Sequence, residues 1–191
     1  METIPELKSP PAFTSIETPR LVLRRFTMDD LPALVAYRSD PQVARYQSWE
    51  AYTEALGAGL IVDLQDLEPG VPGRGFQFAV ELKDSRALIG DLYLQVEVDE
   101  PRQAVIGYTL ARPYQGRGLA GEAVGALLEY CFGTLNLHRA IARTLSENQP
   151  SIALLERLGF RRQADFVAKS WFEGRWVDEY QYALSKEEWE H

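Results

Sequence analysis

The sequence predicts one α+β domain built around a mixed, mostly antiparallel sheet. Segments with strand character and segments with helical periodicity are both present, but they do not alternate strictly, as they would in a parallel α/β fold. Several strand segments follow one another through short turns, which is typical of antiparallel pairing. A length of 191 residues suits a single domain, and 46% apolar residues can form a sizeable core.

The first half of the chain is expected to begin with a flexible tail. Residues 1–17 are rich in proline and polar side chains, so we expect a single domain over residues 18–191. Thr27 followed by two aspartates has the pattern of a helix start, and the apolar residues after it fit one helical face. The predicted elements are a strand at 21–26, a helix after Thr27 that ends before Pro41, an irregular segment at 43–49, a helix at 52–67 and a strand pair at 76–83 and 87–98.

The second half is expected to combine four strands and two helices. Pro150 at the first position of a helix and Gly159 just after its end follow the usual asymmetry of helix termini. The predicted elements are a strand at 104–111, a helix from Leu119 onward, a strand at 138–145, a helix at 150–158, and strands at 160–168 and 177–184.

The turn before Leu119 is the most informative stretch. Gly116 and Gly118 lack a Cβ, so the backbone can bend sharply there or approach a ligand closely. From Leu119 onward, apolar residues recur every three or four positions, which predicts one buried helical face that includes Cys131. A strand, a glycine-rich turn and a helix N-terminus together form an anion site, because N–H groups and the helix dipole favour negative charge. The alternative is an ordinary strand-to-helix turn.

Two common phosphate motifs are absent from this turn. The sequence holds no G-x-x-x-x-G-K-[ST] run, and its glycines do not fit the spacing of G-x-G-x-x-G. What remains is Gln115-x-x-Gly118-x-Ala120, which resembles the [Q/R]-x-x-G-x-[G/A] pyrophosphate loop of the GCN5-related N-acetyltransferases, the GNAT family. Further similarities to the RimJ/RimL branch span roughly residues 18–185 in family order. They are Thr18-Pro-Arg-Leu-Val-Leu-Arg24, Ser39-Asp-Pro-Gln-Val-Ala-Arg45, Ile106-Gly-Tyr108, Leu137-His-Arg139 through Glu147-Asn148, Ser151-Ile152 and Leu155-Glu-Arg-Leu-Gly-Phe160.

The resemblance implies a GNAT fold with about six to seven strands flanked by helices, in which two strands part at one end. The strands at 104–111 and 138–145 would part, and the pantetheine arm of acetyl-CoA would insert between them as an added strand does. Gln115 is expected to bond within the loop, while Arg117 is either a phosphate contact or a solvated side chain. The implied cofactor-binding residues are Leu110, Arg112, Gln115, Gly116, Arg117, Gly118, Leu119, Ala120 and Asn148.

By the same resemblance, Ser151 is the expected catalytic proton donor or relay beside the CoA sulfur. Acetyl transfer needs a neutral amine, a donor for the developing oxyanion and a proton for the leaving thiolate. A backbone N–H near Leu110 is the expected oxyanion donor. The residues alone leave simpler alternatives open, with Ser151 in an ordinary first helical turn and Asn148 as an N-cap. Many relatives place a tyrosine acid where this chain has Leu155.

The general base is harder to assign. Relatives often carry a glutamate where this chain has Val105, so Asp91 on the preceding strand is the expected catalytic substitute. Asp91 could equally be a carboxylate at a strand end. Glu81 and Glu97 are weaker candidates and are expected to be solvated strand residues. In a further alternative there is no dedicated base, and the amine loses its proton to water before attack.

Aromatic residues are expected to line the acceptor side. Tyr46 and Trp49 fall where the family lines its acceptor cleft, and the segment 171–176 would form another wall, with core packing as the alternative for each. The expected acceptor is a protein N-terminus or a small-molecule amine, such as an amino acid, a polyamine or an aminoglycoside. The alternative function is a non-catalytic acyl-CoA-binding sensor, which the missing glutamate and tyrosine favour.

The amino-acid composition limits which other partners, such as nucleic acid, metal ions or a membrane, the protein is expected to bind. A net charge of −8 disfavours binding to nucleic acid, which needs a basic face on the protein. Two histidines far apart and one cysteine form no metal constellation, so no metal is expected. No apolar run is long enough to span a membrane. The lone Cys131 fits a core thiol in a reducing compartment, so we expect a cytoplasmic protein. The sequence leaves the oligomeric state open between a monomer and a homodimer, although relatives often dimerise.

Overall fold

The computed structural model describes residues 12–47, 49, 51–172 and 174–191, with the backbone alone for 165–170 and 172. The strands of this part of the chain are β1 (Ser15–Glu17), β2 (Leu21–Arg24), β3 (Phe76–Leu82), β4 (Ala87–Val96), β5 (Gln103–Leu110), β6 (Arg139–Leu145), β7 (Arg161–Phe172) and β8 (Arg175–Ser185). They form one sheet in the order β1-β2-β3-β4-β5-β6-β8-β7. Only β5 and β6 pair in parallel, so the predicted mixed, mostly antiparallel sheet is confirmed.

The helices of the described chain connect these strands. They are α1 (Leu31–Arg38), α2 (Pro41–Ala44), α3 (Glu54–Asp63), α4 (Leu119–Glu129), α5 (Gln149–Arg157) and α6 (Lys186–Trp189). A π-helical turn, Tyr130–Thr134, continues α4. Within the described ranges, no helix is both long enough and apolar enough to cross a membrane.

Residues 12–17 correct the expectation of a flexible tail over residues 1–17. β1 pairs with β2 in an antiparallel register that begins with Ser15 opposite Arg24, and it is the eighth strand, beyond the six to seven expected. Phe13 is buried, and its ring packs edge-on against two phenylalanines of β3. A short edge strand and one aromatic anchor therefore hold this segment on the core. Residues 1–11 lie outside the described part of the chain.

Part of the segment expected to be irregular forms α2. Asp40 accepts a hydrogen bond from the N–H of Gln42 at 2.9 Å, and Pro41 occupies the first helical position. The prediction of an irregular segment at 43–49 missed this helix, because four residues carry too little periodicity to identify. The helix predicted at 52–67 is confirmed in shorter form as α3.

The predicted apolar face of α4 is confirmed. Its buried residues recur at helical spacing and pack onto the sheet: Leu119, Ala123, Val124, Leu127 and Leu128. Cys131 follows in the π-helical turn and is fully buried, and burial raises the pKa of its thiol to about 12. At that pKa the thiol stays neutral, so Cys131 is the core residue that its place in the pattern predicts.

The strands β5 and β6 part, as expected. They pair only from Gln103 opposite Arg139 to Ile106 opposite Ala142. Beyond that point β5 stays paired with β4 as far as Leu110, and β6 stays paired with β8 as far as Leu145. Each strand therefore continues without its parallel neighbour, and the ends of β5 and β6 form a wedge that lacks ladder hydrogen bonds between them.

Candidate active site

A cavity of about 440 Å³ lies beside the unpaired end of β5. Its walls come from β5, the turn before α4, the first turns of α4 and α5, and the segment around α2. The volume is in the range of small-molecule sites. The predicted site residues that line it are Tyr46, Leu110, Gln115, Gly116, Gly118, Ala120, Asn148 and Ser151. The remaining predicted site residues, which are not part of the lining, are Trp49, Asp91, Arg112, Arg117 and Leu119.

The turn before α4 has the geometry of an anion cradle. Gly116 and Gly118 have φ angles of +70° and +75°, in the left-handed region that strains any residue with a Cβ. Gly118 is the N-cap of α4 and has no side chain with which to cap the helix. The first N–H groups of α4 consequently lack helical partners and carry the positive end of the helix dipole toward the cavity. These features fit a pyrophosphate.

Gln115 fixes the start of this turn. Its side-chain Nε2 donates a hydrogen bond to the carbonyl oxygen of Leu110 at 2.7 Å, so Gln115 bonds to the end of β5 rather than within the loop as expected. The next N–H, that of Ala111, donates to Ile89 of β4 at 2.8 Å. Neighbouring residues of a strand point their N–H groups to opposite sides, so the N–H of Leu110 points away from β4 and into the wedge.

Arg20, which precedes β2, braces the same turn. Its Nη1 donates to the carbonyl oxygen of Arg117 at 3.1 Å, and its Nε pairs with Glu122 of α4 at 2.6 Å. Thr18 donates to the same carboxylate at 2.6 Å. Partial burial raises the pKa of Glu122, but the hydrogen bonds from Thr18 and Arg20 outweigh it and lower that pKa below its usual value. The carboxylate therefore stays charged at neutral pH and holds the turn.

The side chains of Arg112 and Arg117 are both exposed. The guanidinium of Arg117 lies 5.8 Å from the centre of the Tyr114 ring, and Nη1 of Arg112 lies 3.9 Å from a carboxylate oxygen of Asp40. Leu119, by contrast, is buried, so only its backbone can serve a ligand.

The first turn of α5 brings Ser151 to the cavity. Asn148 is the N-cap, and its Oδ1 accepts a hydrogen bond from the N–H of Ser151 at 3.3 Å, which confirms the N-cap alternative for Asn148. The hydroxyl oxygen of Ser151 lies 2.7 Å from that of Tyr108 on β5. Burial raises the pKa of Tyr108 to about 12. Tyr108 consequently keeps its proton at neutral pH.

Asp91 has an environment that argues against the base role expected for it. It is only 2% exposed, and its carboxylate pairs with the guanidinium of Arg38 at 2.8 Å. Tyr37 donates a short hydrogen bond to the same carboxylate, and Gln77 donates another at 3.3 Å. To accept a proton from an amine, Asp91 would have to give up a buried ion pair. Its contacts instead fasten α1 to β4.

The two weaker base candidates, Glu81 and Glu97, also bind neighbouring side chains. Glu81 is buried rather than solvated, and it pairs with Arg24 at 2.7 Å and with Arg86 at 2.9 Å. Glu97 accepts a short hydrogen bond from the side chain of Gln103. Neither glutamate lines the cavity.

Of the two aromatic residues expected at the acceptor side, only Tyr46 lines the cavity. The indole N–H of Trp49 donates to the carbonyl oxygen of Arg38 at 2.9 Å, and the guanidinium of Arg38 lies 4.6 Å from the Trp49 ring centre. Trp49 thus covers the buried ion pair, as in the packing alternative. At the β7–β8 hairpin, Trp171 and Trp176 pack edge-to-face at 5.4 Å and are both exposed.

Two residues that had no assigned role in the sequence reading take part in this site. Arg20 belongs to the Thr18–Arg24 motif, and Tyr108 ends the Ile106-Gly-Tyr108 motif. Both motifs were part of the resemblance to the GNAT family. That resemblance was the feature of the sequence that could have pointed to Arg20 and Tyr108. The described residues contain no group of three or more His, Cys, Asp or Glu side chains that could hold a metal ion.

The comparison with protein families agrees with this geometry. The family model of the acetyltransferase (GNAT) domain matches residues 20–161. The chain belongs to the GNAT family. An uncharacterized N-acetyltransferase, p20, of Bacillus licheniformis is 34% identical over 176 residues, which cover 92% of this GNAT chain and 98% of that protein.

Two further relatives connect this GNAT protein to the RimJ-type branch. The structure of Mycobacterium smegmatis RimJ in complex with CoA-disulfide has a TM-score of 0.73 and 27% identity, and the match covers 88% of this chain and 83% of that one. The [ribosomal protein uS5]-alanine N-acetyltransferase of Escherichia coli (strain K12) is 30% identical over 118 residues, or 61% of each chain. The expected family is confirmed, and the chain is an acyl-CoA-dependent acetyltransferase.

Proposed function

We propose that this protein transfers the acetyl group of acetyl-CoA to a primary amine by direct attack within a ternary complex. One observation carries the proposal. The uncapped N-terminus of α4 and the hydroxyl of Ser151 face the same cavity, beside the end of β5 that has no parallel partner. A phosphate cradle, a strand edge and a proton donor are what an acyl-CoA transferase has to bring together.

The backbone would hold the donor. The pyrophosphate would rest on the N–H groups that follow Gly116 and Gly118. Both glycines have a positive φ and lack a side chain, so the main chain can approach the phosphates closely. The pantetheine amides would pair with the unpaired edge of β5, as in strand addition. Arg112, Arg117 and Asn148 are proposed as lesser contacts.

The reaction would use one backbone N–H and one hydroxyl. A neutral amine attacks the thioester carbonyl, and the N–H of Leu110, which points into the wedge, stabilises the oxyanion. As the C–S bond breaks, Ser151 gives its proton to the thiolate. With Asp91 in a buried ion pair, we propose that the amine loses its proton to water rather than to a dedicated base.

The charges of the side chains that line the cavity indicate which type of amine could be the acceptor. Among the described lining residues, Arg157 is the only charged side chain, and no carboxylate is present. Among the lining residues that the structure describes, a polyamine would find no anionic partner, whereas a single neutral amine needs none. We therefore favour a monoamine, either a small molecule or a protein N-terminus, beside Tyr46. The likeness to an enzyme named for an alanine of a ribosomal protein supports the second choice.

A CoA-release assay tests the proposal. Free thiol is measured after acetyl-CoA is mixed with peptides bearing a free N-terminus, with amino acids and other monoamines, and with polyamines as the control class. Turnover with monoamines above the rate of acetyl-CoA hydrolysis is the expected result. Saturable binding of acetyl-CoA without turnover for any amine would instead identify a non-catalytic sensor.

A further inference from the structure

Tyr108 and Ser151 form a hydroxyl pair in the wedge. Tyr108 lies two residues beyond Ile106, where the pairing of β5 with β6 ends, and Ser151 lies in the first turn of α5. Their oxygens are 2.7 Å apart, and the Tyr108 hydroxyl is also 3.3 Å from the carbonyl oxygen of Ser151. Both residues line the cavity. Across the described residues, Tyr108 provides the one side-chain hydrogen bond to the Ser151 hydroxyl.

The number of protons limits how this pair can be arranged. A serine hydroxyl has one proton and can donate in only one direction. If Ser151 donates to Tyr108, no proton is left to point into the cavity. If Tyr108 donates to Ser151, the serine proton is available to a leaving group. Tyr108 keeps its own single proton at neutral pH and has two acceptors within reach, the carbonyl oxygen of Ser151 at 3.3 Å and its hydroxyl oxygen at 2.7 Å. The hydroxyl oxygen is the closer acceptor, so Tyr108 can donate to it.

We propose that Tyr108 is a positioning residue that donates its hydroxyl proton to the oxygen of Ser151 and so directs the serine proton at the leaving sulfur. This proposal rests on the proposed function. The new C–N bond forms, the C–S bond breaks with its electron pair on sulfur, and the Ser151 proton moves to that sulfur. The Tyr108 proton shifts toward the serine oxygen at the same time. The proton released by the amine returns through water to the hydroxyl pair, so atoms and charge balance.

The position of Ser151 in α5 adds to this effect. The N-terminus of the nine-residue helix places positive potential at its first turn. Negative charge that develops on the serine oxygen or on the thiolate is stabilised there. A hydroxyl held by Tyr108 at this end of the helix is thus a better acid than an exposed serine.

A purely structural role would be a tether between β5 and α5, and the chain offers a matched control for it. Tyr182 on β8 is buried, and its hydroxyl donates to Glu156 of the same helix at 3.2 Å. Neither Tyr182 nor Glu156 lines the cavity. Tyr182→Phe therefore removes a tyrosine tether to α5 without touching the site.

The experiment compares Tyr108→Phe, Ser151→Ala, the double variant and Tyr182→Phe in steady-state CoA release. Tyr108→Phe is expected to lower kcat about tenfold and to leave the KM for acetyl-CoA within about twofold. The double variant should be no slower than Ser151→Ala, because the two groups act as a unit. Tyr182→Phe should keep the wild-type kcat.

Three results would overturn the proposal. They are an unchanged kcat in Tyr108→Phe, losses that add in the double variant, and an equal loss in Tyr182→Phe. Each of these leaves the proposed function intact, because the wild type still turns over. If the wild type itself releases no CoA with any amine, the proposed function fails, and the role of Tyr108 fails with it.

Discussion

The two ends of the cavity are built from different parts of the chain. The phosphate end is made of backbone, with two glycines at positive φ and the uncapped start of α4. The catalytic end is made of side chains from separate elements, Tyr108 on β5 and Ser151 on α5. A backbone site depends on local conformation, which residue spacing encodes directly. A side-chain site depends on which elements the fold brings together, and spacing encodes that only indirectly.

The largest effect is expected from a substitution of Asp91. It tests whether this residue stabilises the fold or takes part in catalysis. Asp91→Ala leaves the guanidinium of Arg38 buried without its partner, so the free energy of unfolding should fall by about 3–5 kcal/mol. Urea unfolding measures this loss.

The isosteric variant Asp91→Asn separates stability from catalysis. At a temperature where this variant is folded, kcat should stay within about threefold of the wild type, because general base catalysis alone is worth far more. A stable Asp91→Asn protein with kcat lowered about 100-fold or more would restore Asp91 as the base.

The next largest effect is expected at the catalytic end of the cavity, from a substitution of Ser151. Ser151→Ala removes the proposed proton donor and should lower kcat about 100-fold, with little change in the KM for acetyl-CoA. Ser146→Ala, just before α5 and outside the cavity lining, is the matched control. A Ser151→Ala enzyme with a wild-type rate would remove Ser151 from the mechanism.

The smallest effect concerns the brace at the phosphate end. Arg20→Ala breaks the bonds from Arg20 to Glu122 and to the carbonyl of Arg117 and should raise the KM for acetyl-CoA about fivefold, since a partly exposed pair is worth about 1 kcal/mol. Lys83→Ala breaks an exposed pair with Glu17 away from the cavity and should leave the KM unchanged. Equal KM values for all three proteins would show that the turn holds its shape without Arg20.

The same contrast explains what the sequence could predict. The glycine turn and the buried face of α4 were predicted because each has a local pattern, whereas the parting of the two strands was expected from the family resemblance. β1 and α2 were missed because three and four residues show no periodicity. The environment of Asp91 was not foreseen because its partners Tyr37 and Arg38 lie more than 50 positions away on α1. The contact of Tyr108 with Ser151 joins residues 43 positions apart and has no local signature.

Thermal unfolding with and without acetyl-CoA tests most directly whether the turn from Gln115 to Ala120 holds this ligand. A ligand that binds only the folded state raises the midpoint, by about 5–10 °C for a chain of this size at 100 times Kd. The wild type should show this shift. Gly118→Trp, which places a large side chain in the cradle, should lose it.

Gly174→Trp is the matched control, because Gly174 also has a positive φ but lies in the β7–β8 hairpin, outside the cavity lining. It should keep the ligand-induced shift. A wild-type midpoint unchanged at millimolar acetyl-CoA, or the same shift in Gly118→Trp as in the wild type, would contradict the account.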